Sequence, residues 1–180
     1  MTPVLRKLLG AATVAALLFV TGCGGGDPPP PGTPSAAENL LTLAKVHEQP
    51  QGSPEEALLR WWMHIQYNDL HGYLSDIATP LRHRREAEGQ TRRNLLLVSG
   101  DSLRSQPRFG GSQREANAVT LFTRIETRQP VGASRFTTSS TPQAFTLIHE
   151  GGRWVIADDS YVLDRATVIR EALENAKKAR

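Results

Sequence analysis

The hydrophobic period of this chain changes from helical to alternating at Gly110-Gly111 and returns to helical near the C-terminus, and that order decides the fold class. Before the two glycines, apolar residues recur every three or four positions; directly after them, they alternate. "SPEEALLRWWMHIQY" supplies Ser53 as N-cap, Pro54 at the first helical position and Glu56 to complete a capping box. Leu58, Trp61, Trp62 and Ile65 follow at i, i+3, i+4 and i+7, which is one helix face. Asn68-Asp69 interrupts the pattern and can cap a second helix, with Leu70, Tyr73, Leu74, Ile77 and Leu81 inward. "PLRHRREAEGQTRRNLLLV" continues as a charged helix, with a strand from Leu95 to Val98 as the competing reading.

Beyond the two glycines, "NAVTLFTRIETR" places Val119, Leu121, Thr123 and Ile125 on one face of a strand. "QAFTLIHE" does the same with Phe145 and Leu147, and Gly151-Gly152 supplies a tight hairpin turn into "RWVIADDSYVL". "PVGASRFTTSSTP", between the hydrophobic strands, reads as a loop or a short edge strand. Asp164 can cap a last helix with Val168, Ile169, Ala172, Leu173 and Ala176 inward, and Lys177, Lys178 and Arg180 suit its C-terminal end. Helices followed by antiparallel strands predict an α+β domain: N-terminal helices on one face of a curved antiparallel sheet, with an extra C-terminal helix.

The lone cysteine lies ahead of this domain. Residues 1–22 combine Arg6 and Lys7 with the apolar run "LLGAATVAALLFV", the pattern of a secretory signal and too short to span a bilayer. Val20-Thr21-Gly22-Cys23 resembles the bacterial lipobox. That resemblance implies cleavage between Gly22 and Cys23, a lipid on the Cys23 thiol, and attachment to the extracytoplasmic face of the membrane. Gly24 in place of Asp lacks the usual inner-membrane retention signal, so the outer membrane is open to it in a cell that has one. Residues 23–52 read as a Gly/Pro-rich tether, of which the stretch to Ser53 could reach about 90 Å at roughly 3 Å per residue. "AENLLTLAKVHEQ", within it, has the spacing of a short helix lying on the domain, which runs over residues 53–180.

The net charge of +3 is mostly targeting sequence, since without residues 1–22 the chain keeps 19 basic against 18 acidic side chains. That balance excludes a nucleic-acid binder as the natural reading. One cysteine forms no intramolecular disulfide, so packing must hold the core.

"SPEEALLRWWMHIQYNDLHGYL" and "FTLIHEGGRWVIADDSYV" resemble the opening helices and closing hairpin of the nuclear transport factor 2-like superfamily, which includes the SnoaL-like and cystatin-like folds. The resemblance covers roughly residues 53–162 and departs at the C-terminal helix. It implies a cone with a pocket between helix and sheet; Trp61, Trp62, Ile65, Tyr73, Phe122, Phe145, Leu147 and Trp154 are the candidates to line it, with packing of the core as the competing reading for the aromatic residues. Adjacent tryptophans point about 100° apart on a helix, so only one of Trp61 and Trp62 is expected to face the core centre. Such a domain would dock an envelope protein or hold a small apolar ligand, or act as an isomerase or dehydratase.

No constellation of catalytic residues has a diagnostic spacing. Gly100-Asp101-Ser102-Leu103 matches the signature of GDSL-type hydrolases, but no Asp-x-x-His follows it, so it reads as a turn or helix end. Tyr73, Asp76, His149 and Asp158 are the ionisable candidates for acid–base work. Tyr73 is expected at the core edge with its hydroxyl at the surface. The five histidines are scattered, giving no metal site, and no cofactor motif is present. Arg82, His83, Arg84, Arg85, Arg92 and Arg93 form a local basic cluster, either a solvated helix face or a surface for anionic headgroups and wall polymers.

Overall fold

A computed structural model of the chain describes residues 40–131 and 135–179. The residues read as a signal, the expected cleavage and lipidation positions Gly22 and Cys23, and most of the expected tether lie outside the described residues. Within them the chain forms α1 (Leu43–Val46), α2 (Pro54–Gln66), α3 (Leu70–Ser75), α4 (Thr79–Glu88), α5 (Thr91–Ser102), β1 (Ser105–Glu115), β2 (Ala118–Val131), β3 (Arg135–Glu150), β4 (Arg153–Ile156) and α6 (Ser160–Lys178). The strands form one antiparallel meander in the order β1-β2-β3-β4, with helices before and after it. The α+β class and the C-terminal helix are as the periodicity predicts.

The central element is α2, which touches α1, α3, α5, β1, β2 and β4. The Ser53 hydroxyl accepts from the Glu56 amide at 3.1 Å, and the Glu56 carboxylate accepts from the Gly52 amide, so the box closes one residue further out than expected. Leu58, Trp61, Trp62 and Ile65 are all fully buried. Each such side chain contributes about 1.5–3 kcal/mol over its exposed state. They meet Val119, Leu121 and Ile125 of β2, Phe145 and Leu147 of β3, and Ile156 of β4 in one apolar cluster. Leu41 and Val46 belong to the same cluster, and the Leu41 amide donates to Gln66 Oε1 at 2.9 Å. The segment that the sequence assigns to the end of the tether is therefore packed into the domain.

Several elements differ from expectation. Gly110-Gly111 does not separate helix from strand; β1 already begins at Ser105 and carries a bulge between Phe109 and Gly111. Leu95–Val98 is helical, which settles that choice for α5. The second helix ends at Ser75 because Ile77 leaves it to bridge Ile156 in parallel, with Ala78 N–H donating to the Ile156 carbonyl and Ile156 N–H to that of Asp76, both at 2.8 Å. Of "PVGASRFTTSSTP", residues 130–131 and 135–142 belong to long paired strands rather than to a loop or a short edge strand: β2 and β3 stay paired from Ala118↔Ile148 to Val131↔Arg135. The last helix starts at Ser160, not Asp164, and Val168 and Leu173 are half exposed rather than inward.

The hairpin turn is as expected, with Gly151 and Gly152 at φ 58° and 81° between paired β3 and β4. Gly72 matters for another reason. A Cβ there would lie 2.1 Å from His64 Nδ1 and 2.4 Å from the Asp69 carboxylate. Gly72→Ala is expected to push the His64 ring off this contact and cost about 1–3 kcal/mol, the usual range for overpacking. Urea unfolding checks it. Among the described residues no helix is long and apolar enough to cross a membrane.

Candidate functional site

The expected pocket is filled by the residues meant to line it. Trp61 lies on Tyr73 with ring centroids 5.9 Å apart and meets Phe145 edge-on at 5.8 Å. Trp62 meets Phe145 at 6.3 Å and Tyr161 at 5.1 Å, and its Nε1 donates to the Ser105 carbonyl at 3.1 Å. Both tryptophans are core residues because α2 is enclosed on more than one side, which corrects the expectation that only one would face the core centre. Ile65, Tyr73, Phe145 and Leu147 are buried with them. Phe122 is on the opposite sheet face, 46% exposed. Trp154 is half-buried at the end of the sheet, edge-on to His149 at 5.2 Å, with the Arg114 guanidinium 5.6 Å from its ring centre.

The acid–base candidates are dispersed and engaged. Tyr73, fully buried rather than at the core edge, donates its hydroxyl to Asp159 Oδ2, and Arg85 donates to both Asp159 oxygens at 2.7 and 2.9 Å. Burial, then the Asp159 charge, pushes the Tyr73 hydroxyl well above the usual phenol range. The hydrogen bond to Asp159 likewise raises Arg85, so the guanidinium stays charged. Asp159 is thereby unable to cap α6 with its side chain; Asp158 accepts from the Ser160 amide instead. Asp76 is held by Arg60 Nε at 3.0 and 3.1 Å, with His64 Nε2 and Arg153 each 3.5 Å away. His64 Nδ1 faces Asp69 at 2.9 Å, and the Gly72 amide holds the Asp69 carboxyl below its usual range. These pairs clamp helices to one another and to β4.

The GDSL stretch is the end of α5. Ser102 is fully buried and donates to the Ser99 carbonyl at 2.9 Å, while Asp101 accepts two bonds from Arg165 of α6 at 2.7 and 2.8 Å. A serine so placed reaches no ester. The basic cluster divides as well: Arg85 is structural, whereas His83, Arg84, Arg92 and Arg93 are exposed.

An open site lies elsewhere. The β2–β3 ladder runs well beyond the apolar cluster, and its helix-facing side turns polar there. Thr127 and Gln129 from β2, and Ser139, Thr141 and Gln143 from β3, line a cleft of about 180 Å³. Its other wall is Tyr161 and Arg165 of α6, with Asp101 beside them. A larger and more open depression, about 570 Å³, lies between α1 and β1, where Lys45, Glu48 and Arg108 mix charges of both signs.

The chain matches no protein-family model and no curated protein sequence. Among solved structures it is similar to the solution structure of a SEC-C motif containing protein from Rhodopseudomonas palustris, at 13% identity and a TM-score of 0.46, over 64% of this chain and 85% of that one. No family model supports the nuclear transport factor 2-like resemblance. With the supposed pocket closed by Trp61, Trp62, Tyr73 and Phe145, the nuclear transport factor 2-like reading is corrected to an α+β domain with a solid interior.

Proposed function

We propose that the chain is a binding protein of the cell envelope, held by lipid at Cys23 on the extracytoplasmic side of a membrane, and that its domain engages partners at its surface. The observation that carries the binding role is the filled interior: the aromatic side chains that would line an apolar pocket pack on each other. The side chains of Tyr73, Asp76, His149 and Asp158 hold different neighbours and do not converge on a reacting centre. Open to partners are the polar cleft, the depression between α1 and β1, and the outer half of α6, where residues 171–179 are exposed throughout. The anchor rests on the lipobox-like Val20-Thr21-Gly22-Cys23 and the tether behind it.

Cys23→Ala tests the anchor. The parent protein is expected in the membrane fraction with a mature N-terminus made heavier by acyl groups, since two or three chains hold stably where one is marginal. The variant should lose that mass and leave the membrane fraction on detergent-free washing; membrane retention equal to the parent's would overturn the anchor. Photo-crosslinkers at Leu173 and Gln143 in intact envelopes test the binding role. Discrete adducts are expected, and their absence at both positions would count against it.

A further inference from the structure

We propose that the cleft between the β2–β3 ladder and α6 binds a neutral polyhydroxylated ring, a single sugar residue. The inference rests on the reading of the domain as a binding module and names its ligand class; it does not depend on the anchor.

The chemistry of the walls carries the assignment. Thr127, Ser139 and Thr141 contribute hydroxyls, and Gln129 a side-chain amide, that make no hydrogen bond to other described residues. Hydroxyls and amides both donate and accept, so water fills such a cleft easily. A ligand displaces ordered water well only when it reproduces those bonds, and a sugar hydroxyl also both donates and accepts. An anion finds no free cation here, because Arg165 spends two donors on the Asp101 carboxylate at 2.7 and 2.8 Å. An apolar ligand would leave the row of hydroxyls and amides unpaired.

The inner end of the cleft suits the less polar side of a sugar ring. Tyr161 stands there against Trp62 and Phe145, with centroids 5.1 and 5.8 Å away, and Ile125 lies beside it. These contacts fix the ring before any ligand arrives. The Tyr161 hydroxyl, like those on the strands, has no partner among the described residues. The Asp101–Arg165 pair, joined by two parallel hydrogen bonds and partly exposed, also lines the cleft and keeps lone pairs and N–H groups that a ligand edge can use. A cleft of 180 Å³ holds about six waters at roughly 30 Å³ each, the space of one six-membered ring.

The test is heteronuclear NMR on the full chain, titrated with glucose, N-acetylglucosamine, the linear trimer of the latter, and inorganic phosphate. Saturable shifts are expected at the Thr127, Thr141 and Gln143 amides and at the Tyr161 ring, with a Kd for the best single sugar of about a millimolar or weaker. A Ser139→Ala, Thr141→Val double variant should weaken binding about tenfold, two hydrogen bonds' worth. Both positions are exposed, and an otherwise unchanged spectrum verifies the fold. Tighter binding of the trimer identifies the end of a glycan as the source, equal binding a free sugar. The assignment is overturned if no sugar gives saturable cleft shifts by ~50 mM, if phosphate alone moves the cleft, or if the double variant binds as the parent does. Failure here with crosslinks still forming at Leu173 would remove the sugar site and leave the binding module standing.

Discussion

Arg85→Ala is expected to destabilise the domain by about 3–5 kcal/mol, because it leaves the Asp159 carboxylate buried without its cation. Asp159 is fully buried, and Arg85 supplies two of the three hydrogen bonds it accepts from side chains. Tyr73 alone cannot neutralise it, since a phenol whose proton is held so tightly donates a hydrogen bond and nothing more. The loss should appear as a drop in Tm of about 10–15 °C at the slope usual for a domain of this size. Tyr73→Phe, which removes one bond to a charged group and no charge, should cost only about 1.5–3 kcal/mol. Urea and thermal unfolding by circular dichroism measure both. Equal costs would mean that the cation is dispensable and that water, not Arg85, compensates Asp159.

Neither Arg85 nor Asp159 stands out in the sequence. Arg85 sits in "RHRRE" beside two other arginines and a glutamate, and Asp159 follows another aspartate. Residue type tells nothing of which arginine of the four-residue run turns inward; the pairing joins positions 74 residues apart. The same difficulty explains α6. A helix starting at Asp164 was the natural reading because Ser160-Tyr161-Val162-Leu163 continues the strand pattern of "RWVI". In the folded chain Ile156 bonds back to Asp76 and Ala78, which ends β4 there and releases Ser160 to open the helix. That contact is tertiary, and local periodicity carries no trace of it.

What was legible is what local physics settles: the Ser53 cap, the buried face of α2, the inward run Val119, Leu121, Thr123 and Ile125, and the Gly151-Gly152 turn. Core packing and pocket lining are both open to the aromatic residues in the sequence; Trp61, Trp62 and Phe145 take the first, while Trp154 packs only partly against the core and Phe122 does neither. Adjacent tryptophans on one helix cannot both face a single layer, so the reading that spared one of them assumed that α2 has one neighbour. It has several, and each ring finds its own.

The open cleft was missed for the opposite reason. "TRQP" and "SSTPQ" look like loop composition, yet Thr127 and Gln129 alternate at strand spacing, as do Ser139, Thr141 and Gln143. A period of two in polar residues is as much a strand face as one in apolar residues. The polar alternation of Thr127 and Gln129, and of Ser139, Thr141 and Gln143, marks this face as surely as Val119, Leu121 and Ile125 mark the buried one.

Trp62→Ala is the variant that decides whether the interior is a site or a core. Deleting the indole removes the contacts with Phe145 and Tyr161 and leaves the Ser105 carbonyl to Gln66 alone. The expected cost is about 3–5 kcal/mol, transfer and cavity terms together. The void would be walled by apolar and aromatic groups, and such engineered cavities stay dry and take up small apolar molecules. Benzene or xenon should therefore stabilise Trp62→Ala in thermal unfolding while leaving the parent chain unmoved, since the parent offers them no space. Stabilisation of the parent by the same probes would show that the rings part readily and would restore an apolar-ligand role to the interior. No effect on either chain, with a cost below about 1 kcal/mol, would mean that α2 collapses onto the sheet and that Trp62 is not the spacer its buried contacts indicate.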